Sequence, residues 1–198
     1  MTQRADYTSS EWSLLTSAVV TVGLGMLAVS GAGLVGRLRE LTTLSRRFSR
    51  LSMPIQFTRN ELVLALLEDF SEPTSDGQES FPLAYLTRGD VAGLITAVVR
   101  SRARMLSACE QVGDLLAART PWAEADGVKR WMLWIARSVA EASGDRWLGL
   151  GRRVNDREAS MLDQIATALR ISPDLRVPTV AELDALLGPA PYDSGPSI

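Results

Sequence analysis

Histidine is missing from this chain of 198 residues. Its absence excludes every nucleophile that depends on an imidazole base, including the Ser-His-Asp and Cys-His arrangements. It also excludes zinc or haem ligation by histidine and a pH switch built on an imidazole. Any catalysis would therefore have to use carboxylates, Arg, Lys, Tyr, Ser or a bound cofactor.

Cysteine is almost absent as well, since Cys109 is the only one. One cysteine cannot form a disulfide within the chain, a cysteine-based zinc site or an iron–sulfur cluster. Cys109 also falls on the apolar side of a predicted helix, which favours a buried thiol over a reactive one. We therefore expect no cofactor and no enzymatic activity.

A strong excess of either charge is lacking too. The net charge is −2, from 21 basic and 23 acidic residues, and no global basic field exists to attract nucleic acid. Hydrophobic content of 46% and charged content of 22% are ordinary for a globular protein. Residues 1–12 do not resemble a signal peptide, because acids outnumber the single arginine there. We expect a cytoplasmic protein with no nucleic-acid partner.

The longest uncharged stretch, residues 13–36, contains five glycines. It is long enough to cross a bilayer, which takes about 20 residues. We interpret residues 11–30 as a buried helix, because apolar positions surround it, and the glycines after it as a break. The alternative is a single membrane span over 13–36, with the arginines that follow on the cytoplasmic side.

Hydrophobic spacing along the rest of the chain predicts an all-α protein, a bundle of about six to seven helices. No segment has the pattern of a convincing strand. In chain order, helices are predicted over 11–30, 34–51, 58–70, 89–119, 121–143, 155–170 and 179–188.

These helices are expected to form one domain. Polar, proline-rich composition predicts loose ends and an internal hinge between two sub-units. The predicted boundaries are a flexible arm over 1–9, a domain over 10–188 with sub-units 10–70 and 89–188 joined by a hinge over 71–88, and a flexible tail over 189–198.

Three helix starts carry capping patterns. Thr58 and Thr179 are each followed three residues later by Glu, as in a capping box. Asn155 with Glu158 has the same arrangement, with Asn as the capping residue. These patterns predict where the third, sixth and seventh helices begin.

The longest predicted helix contains an apolar seam with alternating steps of four and three residues, which is typical of a coiled coil. Arg102 is its only polar member. We expect Arg102 either to pair with an acid or to lie where the seam reaches solvent. The seam consists of Val91, Ile95, Val98, Arg102, Met105, Cys109, Val112 and Leu116.

Two segments of the chain share a layout. Each has a helix with tryptophan, a Ser-Gly pair at 30–31 or 143–144, a Gly-rich turn, and a helix containing glutamate and leucine. An ancient duplication of a helix-loop-helix unit would produce this layout, and so would chance similarity among helices rich in Ala, Leu and Gly.

The second of these units contains the sequences WMLWIARSVAEASGD and VNDREASMLDQIATALRI. A helix ending in an acidic, Gly-containing turn is followed there by an L-x-x-I-A-x-x-L pattern at Leu162, Ile165, Ala166 and Leu169. In these motifs, residues 127–171 resemble the tellurite-resistance TerB-like helical family. The insertion RWLGLGRR spreads the acidic turn, which departs from the family pattern and bears against a metal site. The resemblance implies a stress-associated interaction module.

Two glycine patterns fit the dinucleotide-binding fingerprint, at Gly23-x-Gly25-x-x-Ala28 and Gly31-x-Gly33-x-x-Gly36. The fingerprint requires a strand before it and a parallel sheet around it, and no strand is predicted. We interpret the glycines as a close helix crossing followed by a turn between helices.

Acidic residues gather near the second Gly-rich segment. Asp145, Asp156 and Glu158, with Glu141 nearby, are candidates to surround a hard cation such as calcium, which takes six to eight oxygens. Their spacing is not that of an EF-hand. Capping of the helix that begins at Asn155, together with solvated acids, is the preferred interpretation.

Two arginine-rich segments predict a surface for a partner. The first follows the uncharged run and suits an acidic partner or anionic lipid. The second combines arginines with a tryptophan and leucines, a composition that often contacts a partner or a membrane. A solvated helix face and a surface loop are the alternatives. The predicted surface consists of Arg37, Arg39, Arg46, Arg47, Arg50, Arg146, Trp147, Arg152 and Arg153.

These features predict a non-catalytic helical interaction or scaffold protein. We expect it to self-associate, or to dock to a protein partner or an anionic membrane surface. One alternative is the single-span membrane protein. Another is a small-ligand binder or enzyme with a pocket near Trp131 and Trp134.

Overall fold

The computed structural model describes residues 3–29, 53–71, 91–143 and 154–171. Of these residues, 84% are helical and none lies in a strand, which confirms the all-α class. The predicted helices over 34–51 and 179–188, the hinge after Ser71 and the C-terminal tail lie outside the described residues. The five described helices are α1 (Ser9–Val29), α2 (Glu61–Ser71), α3 (Val91–Arg119), α4 (Trp122–Ser143) and α5 (Asp156–Ala168).

Helix α1 lies at the centre of the described bundle and contacts each of the other four helices. Its C-terminal half is enclosed on nearly every side, and Val22, Met26 and Leu27 are at most 1% exposed. Burying an aliphatic side chain contributes about 1.5–3 kcal/mol, so this helix supplies much of the core. The prediction of a buried helix in this segment is confirmed.

Hydroxyl groups form the solvent face of α1 in its first half. Ser13 and Ser17 are exposed, the Thr16 hydroxyl donates to the Trp12 carbonyl at 3.1 Å, and the Ser17 hydroxyl donates to the Leu14 carbonyl at 3.2 Å. Among the described helices, α1 is long and apolar enough to cross a bilayer by length and composition. After Glu11 in the first turn, its polar face consists of small hydroxyls, so the rest of the helix contains no charge that would mark it as a helix of a soluble core.

Helices α1 and α3 cross closely at Gly25. A Cβ atom on Gly25 would lie 2.6 Å from the Met105 Sδ and 3.2 Å from the Met105 Cβ. Glycine costs an α-helix about 1 kcal/mol relative to alanine, and here its missing side chain is what lets the fully buried Met105 fill the crossing. The predicted close crossing is confirmed.

The two halves of α3 differ in burial. Ile95 is 52% exposed and Arg102 is exposed, so the predicted seam is wrong at Ile95 and reaches solvent at Arg102, whereas Val98 is partly buried against the core. The neighbouring Ser101 is 8% exposed and takes the inward position. A small polar residue is tolerated there better than the Arg102 side chain would be, since burying an unpaired charge is costly. From Met105 onward the seam is confirmed, and its fully buried members are Met105, Cys109, Val112 and Leu116.

Helix α2 is capped by Asn60, and the capping box predicted at Thr58 is wrong. The Asn60 Oδ1 accepts a hydrogen bond from the Val63 N–H at 3.1 Å. The Thr58 hydroxyl instead donates to the Ile55 carbonyl at 2.7 Å, within the turn before the helix. Asn60 directly precedes the first helical residue, where a short polar side chain caps best.

The same asparagine joins α2 to α4. Its Nδ2 donates to the backbone carbonyl of Glu124 at 2.9 Å. Gly127 leaves the space for this amide, since a Cβ at Gly127 would overlap the Asn60 Nδ2 and lie 3.2 Å from its Cγ. One residue therefore caps one helix and fixes its position on another.

The capping box predicted at Asn155 is confirmed. The Asn155 Oδ1 accepts from the Glu158 N–H at 2.9 Å, and the Glu158 Oε2 accepts from the Asn155 N–H at 2.8 Å. Helix α5 then runs to Ala168, two residues short of the end predicted at Arg170.

The N-terminal arm differs from the loose segment expected over residues 1–9. The described part forms a 3₁₀ turn at Arg4–Asp6. The Tyr7 side chain is 7% exposed, and its hydroxyl lies 2.5 Å from the Thr120 hydroxyl. Arg4 pairs with Asp69 at 2.8 Å. Contacts to α2 and to the α3–α4 turn therefore fix a segment whose polar composition suggested mobility.

Candidate functional site

The arginine-rich partner surface predicted from the sequence lies outside the described residues. Its members belong to the segments 30–52 and 144–153, which the structure does not describe, so their role stays a prediction. They are Arg37, Arg39, Arg46, Arg47, Arg50, Arg146, Trp147, Arg152 and Arg153.

Among the acidic candidates for a cation site, Glu158 has a clear local role. It is 1% exposed, and in the cap of α5 its carboxylate accepts one hydrogen bond while its backbone N–H donates another. Asp156 is exposed in the first turn of that helix, and Asp145 lies outside the described residues. In the part of the chain that the structure describes, no three metal-binding side chains lie together.

The first glycine pattern, at Gly23, is not a dinucleotide-binding turn. Gly23 and Gly25 are buried within the continuous helix α1, so their N–H groups are not free to approach a pyrophosphate as the fingerprint requires. The interpretation as a helix crossing is confirmed here. The second pattern, from Gly31, lies outside the described residues.

Cys109 is a buried thiol, as predicted. It is fully buried on α3. Burial, with a smaller contribution from Glu110, raises the pKa of the Cys109 thiol from 9.0 to about 12. Little thiolate therefore forms at neutral pH, and the thiolate is the nucleophilic species.

Trp131 and Trp134, near which a ligand pocket is one alternative from the sequence, are core residues. They are 0% and 1% exposed, and the Trp134 ring lies 5.9 Å from the Phe57 ring between centroids. Neither lines the groove at Leu106 and Ser160, the groove at Gln3 and Trp12, or the groove at Thr120 and Trp122. These rings hold α4 in the core.

The first half of α3 presents an apolar stripe to solvent. Ile95 and Val99 are 52% and 63% exposed, and they are neighbours on one helix face because they lie four residues apart. Arg102 continues the stripe three residues after Val99, and Arg100 and Arg104 lie one turn apart on the adjacent exposed face. We call these five residues the α3 surface.

The arginines of the α3 surface lack acidic partners nearby. Residues 91–109 contain three arginines and no acid. None of these arginines forms an ion pair with another described residue, whereas Arg119 at the far end of α3 pairs with Glu11 at 3.0 Å. The α3 surface is therefore a locally basic, partly apolar region on a protein of net charge −2.

A second exposed aromatic feature lies at the turn between α3 and α4. Trp122 is 75% exposed, the largest value among the exposed large hydrophobic residues. Beside it is a groove of about 300 Å³, which we call the Trp122 groove. Its lining consists of Ala117, Thr120, Trp122, Ala125, Asp126, Lys129 and Arg170.

Two basic side chains line the Trp122 groove. Lys129 is the single lysine among the 21 basic residues of the chain. Burial is the main cause that lowers the pKa of Lys129; Asp126 opposes this shift and Arg170 adds to it. Asp126 itself pairs with Arg130 at 2.5 Å, so Lys129 is left without an ion pair among the described residues.

Arg170 has an unusual backbone conformation. Its φ of 55° lies in the left-handed region that favours glycine. The Arg170 N–H donates to the Thr167 carbonyl at 2.9 Å and the Ile171 N–H donates to the Ala166 carbonyl at 3.0 Å, the two bonds of a Schellman motif. Glycine is the usual residue at this position of the motif. Here the position is occupied by an arginine, which lines the groove.

Sequence reasoning missed both surfaces. Assigning Ile95 and Arg102 to a continuous seam concealed the exposure of the first half of α3. The absence of acids from residues 91–109 was the available signal. For the Trp122 groove, the signal was a large apolar residue directly after Pro121 at a helix start, where side chains are commonly exposed.

Comparison with family models, curated proteins and solved structures finds no match to this chain.

Proposed function

We propose that this protein is a non-catalytic helical protein that docks reversibly on an anionic membrane surface through the α3 surface. One observation carries the proposal: exposed Ile95 and Val99 lie beside arginines that have no ion pair among the described residues, one in line with them and two on the adjacent exposed face. An apolar stripe bordered by cationic side chains is the pattern of helices that lie in a membrane interface.

The expected strength of this contact is that of a peripheral protein. Three arginines near an anionic leaflet contribute about 3 kcal/mol. Removing the exposed parts of Ile95 and Val99 from water adds about 2 kcal/mol. About 5 kcal/mol corresponds to a dissociation constant of the order of 0.1–1 mM, so the docking is reversible and sensitive to salt.

A second copy of this chain is a poorer occupant of the α3 surface. Pairing two α3 surfaces would bring six arginines together with no acid between them, since residues 91–109 contain none. Like charges brought together in an interface oppose binding. A partner for this surface must therefore be anionic.

An acidic protein is the other anionic candidate, and the size of the surface disfavours it. A stable protein interface buries about 800 Å² on each partner. The α3 surface offers two large apolar side chains on one helix, with one arginine in line with them and two on the adjacent face. A lipid surface needs no matching shape and presents negative charge to all three arginines at once.

Two sequence predictions fit into this proposal. The arginine-rich segments around Arg37 and Arg152 would add cationic contacts to the same membrane. The TerB-like resemblance of residues 127–171 and the stress-associated role that it implies remain predictions. The packing of α4, which ends at Ser143, with a capped α5 is in keeping with the helix pair of that resemblance.

The single-span alternative is favoured by one observation, the length and apolar composition of α1. The two functions differ in how the protein is released from membranes. A peripheral protein leaves with high salt, because salt screens its charges. A spanning helix leaves only with detergent, and recovery only in detergent would favour the α1 span over the α3 surface.

Vesicle flotation tests the proposal. We expect binding to vesicles of phosphatidylcholine with phosphatidylserine, and little binding to phosphatidylcholine alone. Arg100→Glu with Arg104→Glu should weaken binding by at least about tenfold, because attraction at two positions becomes repulsion. The matched control is Arg59→Glu with Arg119→Glu, which changes the net charge equally at exposed positions, one in the turn before α2 and one at the opposite end of α3.

The proposal fails if the control pair weakens binding as much as the α3 pair, because net charge alone would then explain the effect. It also fails if the protein ignores anionic vesicles yet binds an acidic amphipathic peptide through Val99. That second result would assign the α3 surface to a protein partner.

A further inference from the structure

We propose that the Trp122 groove binds a small molecule in which an anionic oxygen group, a phosphate or carboxylate, is attached to a flat apolar ring. This site lies at the α3–α4 turn and the C-terminal end of α5. It does not depend on membrane docking, because it shares no residue with the α3 surface.

The groove offers a platform for a ring. The Trp122 indole is 75% exposed, and the groove of about 300 Å³ beside it is also lined by Ala117 and Ala125. This volume is at the lower end of the range for small-ligand sites. Small alanines leave room above the indole, and aromatic groups stack well on exposed tryptophan faces.

The groove also offers a cation that is not already neutralised. Lys129 lines it and has no ion pair among the described residues, because Asp126 is paired with Arg130. Lys129 is half-buried, and burial lowers its pKa, while Asp126 and Asp114 act in the opposite direction. An anion placed beside Lys129 would restore the stabilisation that burial has removed.

Arg170 supplies the second cation. Its left-handed backbone conformation indicates that arginine is a less stable residue than glycine at this position. A non-glycine residue in the left-handed region is disfavoured, and strained residues that persist tend to cluster at ligand sites. The ion pair between Arg170 and Asp114 does little to offset this cost, since both side chains are about 60% exposed and such surface pairs are weak. Glycine would serve the Schellman motif better.

A single lysine makes the groove directly observable by NMR. Labelling with ¹³C,¹⁵N-lysine gives one side-chain signal, that of Lys129. Titration with phenyl phosphate should shift this signal to saturation and raise the pKa of Lys129, because a nearby anion stabilises the ammonium. Inorganic phosphate and benzyl alcohol, each offering half of the ligand chemistry, should bind more weakly. Benzoate in place of phenyl phosphate identifies which anionic group is preferred.

Two variants assign the roles within the groove. Arg170→Gly should weaken phenyl phosphate binding by about tenfold, because one charge-assisted contact is lost, while the melting temperature stays equal or rises. Trp122→Ala should remove the preference for phenyl phosphate over inorganic phosphate. Arg157→Gln, at an exposed position on α5 away from the groove, is the matched control and should change neither result.

Several outcomes would overturn the proposal. These are the absence of a saturable shift, an equal shift with inorganic phosphate, or unchanged binding in Arg170→Gly. A lower melting temperature in Arg170→Gly would show that the arginine is kept for structure. A shift caused by phosphatidic acid vesicles but not by phenyl phosphate would assign the groove to a lipid headgroup. The vesicle binding of Arg170→Gly is measured in parallel, and its retention shows that the groove and the α3 surface act separately.

Discussion

The two halves of α3 belong to one continuous helix, yet they have opposite relations to the rest of the molecule. In the second half, Met105 and Leu116 are fully buried, and Arg119 is paired with Glu11. In the first half, Ile95 and Val99 face water and the arginines have no described acid beside them. A single helix therefore combines a structural half with a half that is available for contact.

This difference shows where stability and function separate in the chain. A buried side chain and a paired charge lower the free energy of the folded state. An exposed valine beside unpaired arginines contributes little to folding, and its removal should be tolerated. Each prediction below tests one consequence of this separation.

The largest contrast is expected in thiol reactivity. In a Val99→Cys variant, the introduced cysteine should react with a maleimide or disulfide reagent at least about a thousandfold faster than Cys109 at pH 8. The reasons are exposure at Val99 and the raised pKa of Cys109, about 12. Labelling of Cys109 should accelerate as the pH rises toward this pKa. Peptide mass spectrometry measures both rates in one sample, and rates within tenfold of each other would contradict the burial of Cys109.

The next contrast is in stability. Leu116→Ala should lower the free energy of unfolding by about 2–5 kcal/mol, because it leaves a cavity in the core. Val99→Ala should change it by less than about 0.5 kcal/mol, as for an ordinary surface substitution. Urea unfolding of both variants measures the difference. If Val99→Ala costs as much as Leu116→Ala, the first half of α3 is part of the core.

The crossing with α1 should be sensitive to added volume. Gly25→Leu should destabilise the fold by about 1–3 kcal/mol, since its side chain would overlap Met105. Met105→Ala in the same chain should recover part of the loss, because it frees space on the facing helix. Thermal melting checks both variants. An unchanged melting temperature for Gly25→Leu would mean that this position does not contact α3.

The smallest effect concerns the ion pair at the end of the buried half. Hydrogen bonds from the Thr8 backbone and hydroxyl are the main cause that lowers the pKa of Glu11 below 4.5, and Arg119 adds to the shift. A carboxyl with a lowered folded-state pKa stabilises the fold above its unfolded pKa, and this contribution is lost as pH falls through the folded value. Unfolding measured from neutral to acidic pH should show a slight difference between the parent and Glu11→Gln that disappears in acid. A difference that persists in acid would assign it to packing.

Local signals predicted much of the helical framework. The capping box at Asn155 involves only residues within one helical turn, so the local sequence is sufficient to predict it. The buried helix α1 and the crossing at Gly25 followed from an uncharged, glycine-containing run. The burial of Cys109 followed from its place in the apolar spacing of α3.

The remaining features depend on residues distant in sequence. Thr58 matched a capping pattern, but Asn60 caps α2 because its amide also reaches α4. Apolar spacing alone did not reveal that Ile95 and Val99 are exposed while the seam is fully buried from Met105 onward. The Trp122 groove joins the ends of three helices, so no single segment of sequence could indicate it.

The bridge made by Asn60 has a consequence for the order of folding. Its amide joins positions 64 residues apart in sequence, and a helix of 11 residues such as α2 is marginal in isolation. The Asn60 Oδ1 can cap α2 alone, but the Asn60 amide finds its partner only when the first turn of α4 has formed. We therefore expect α2 to condense onto an existing surface, and its amide protons to exchange with solvent together with those at the beginning of α4.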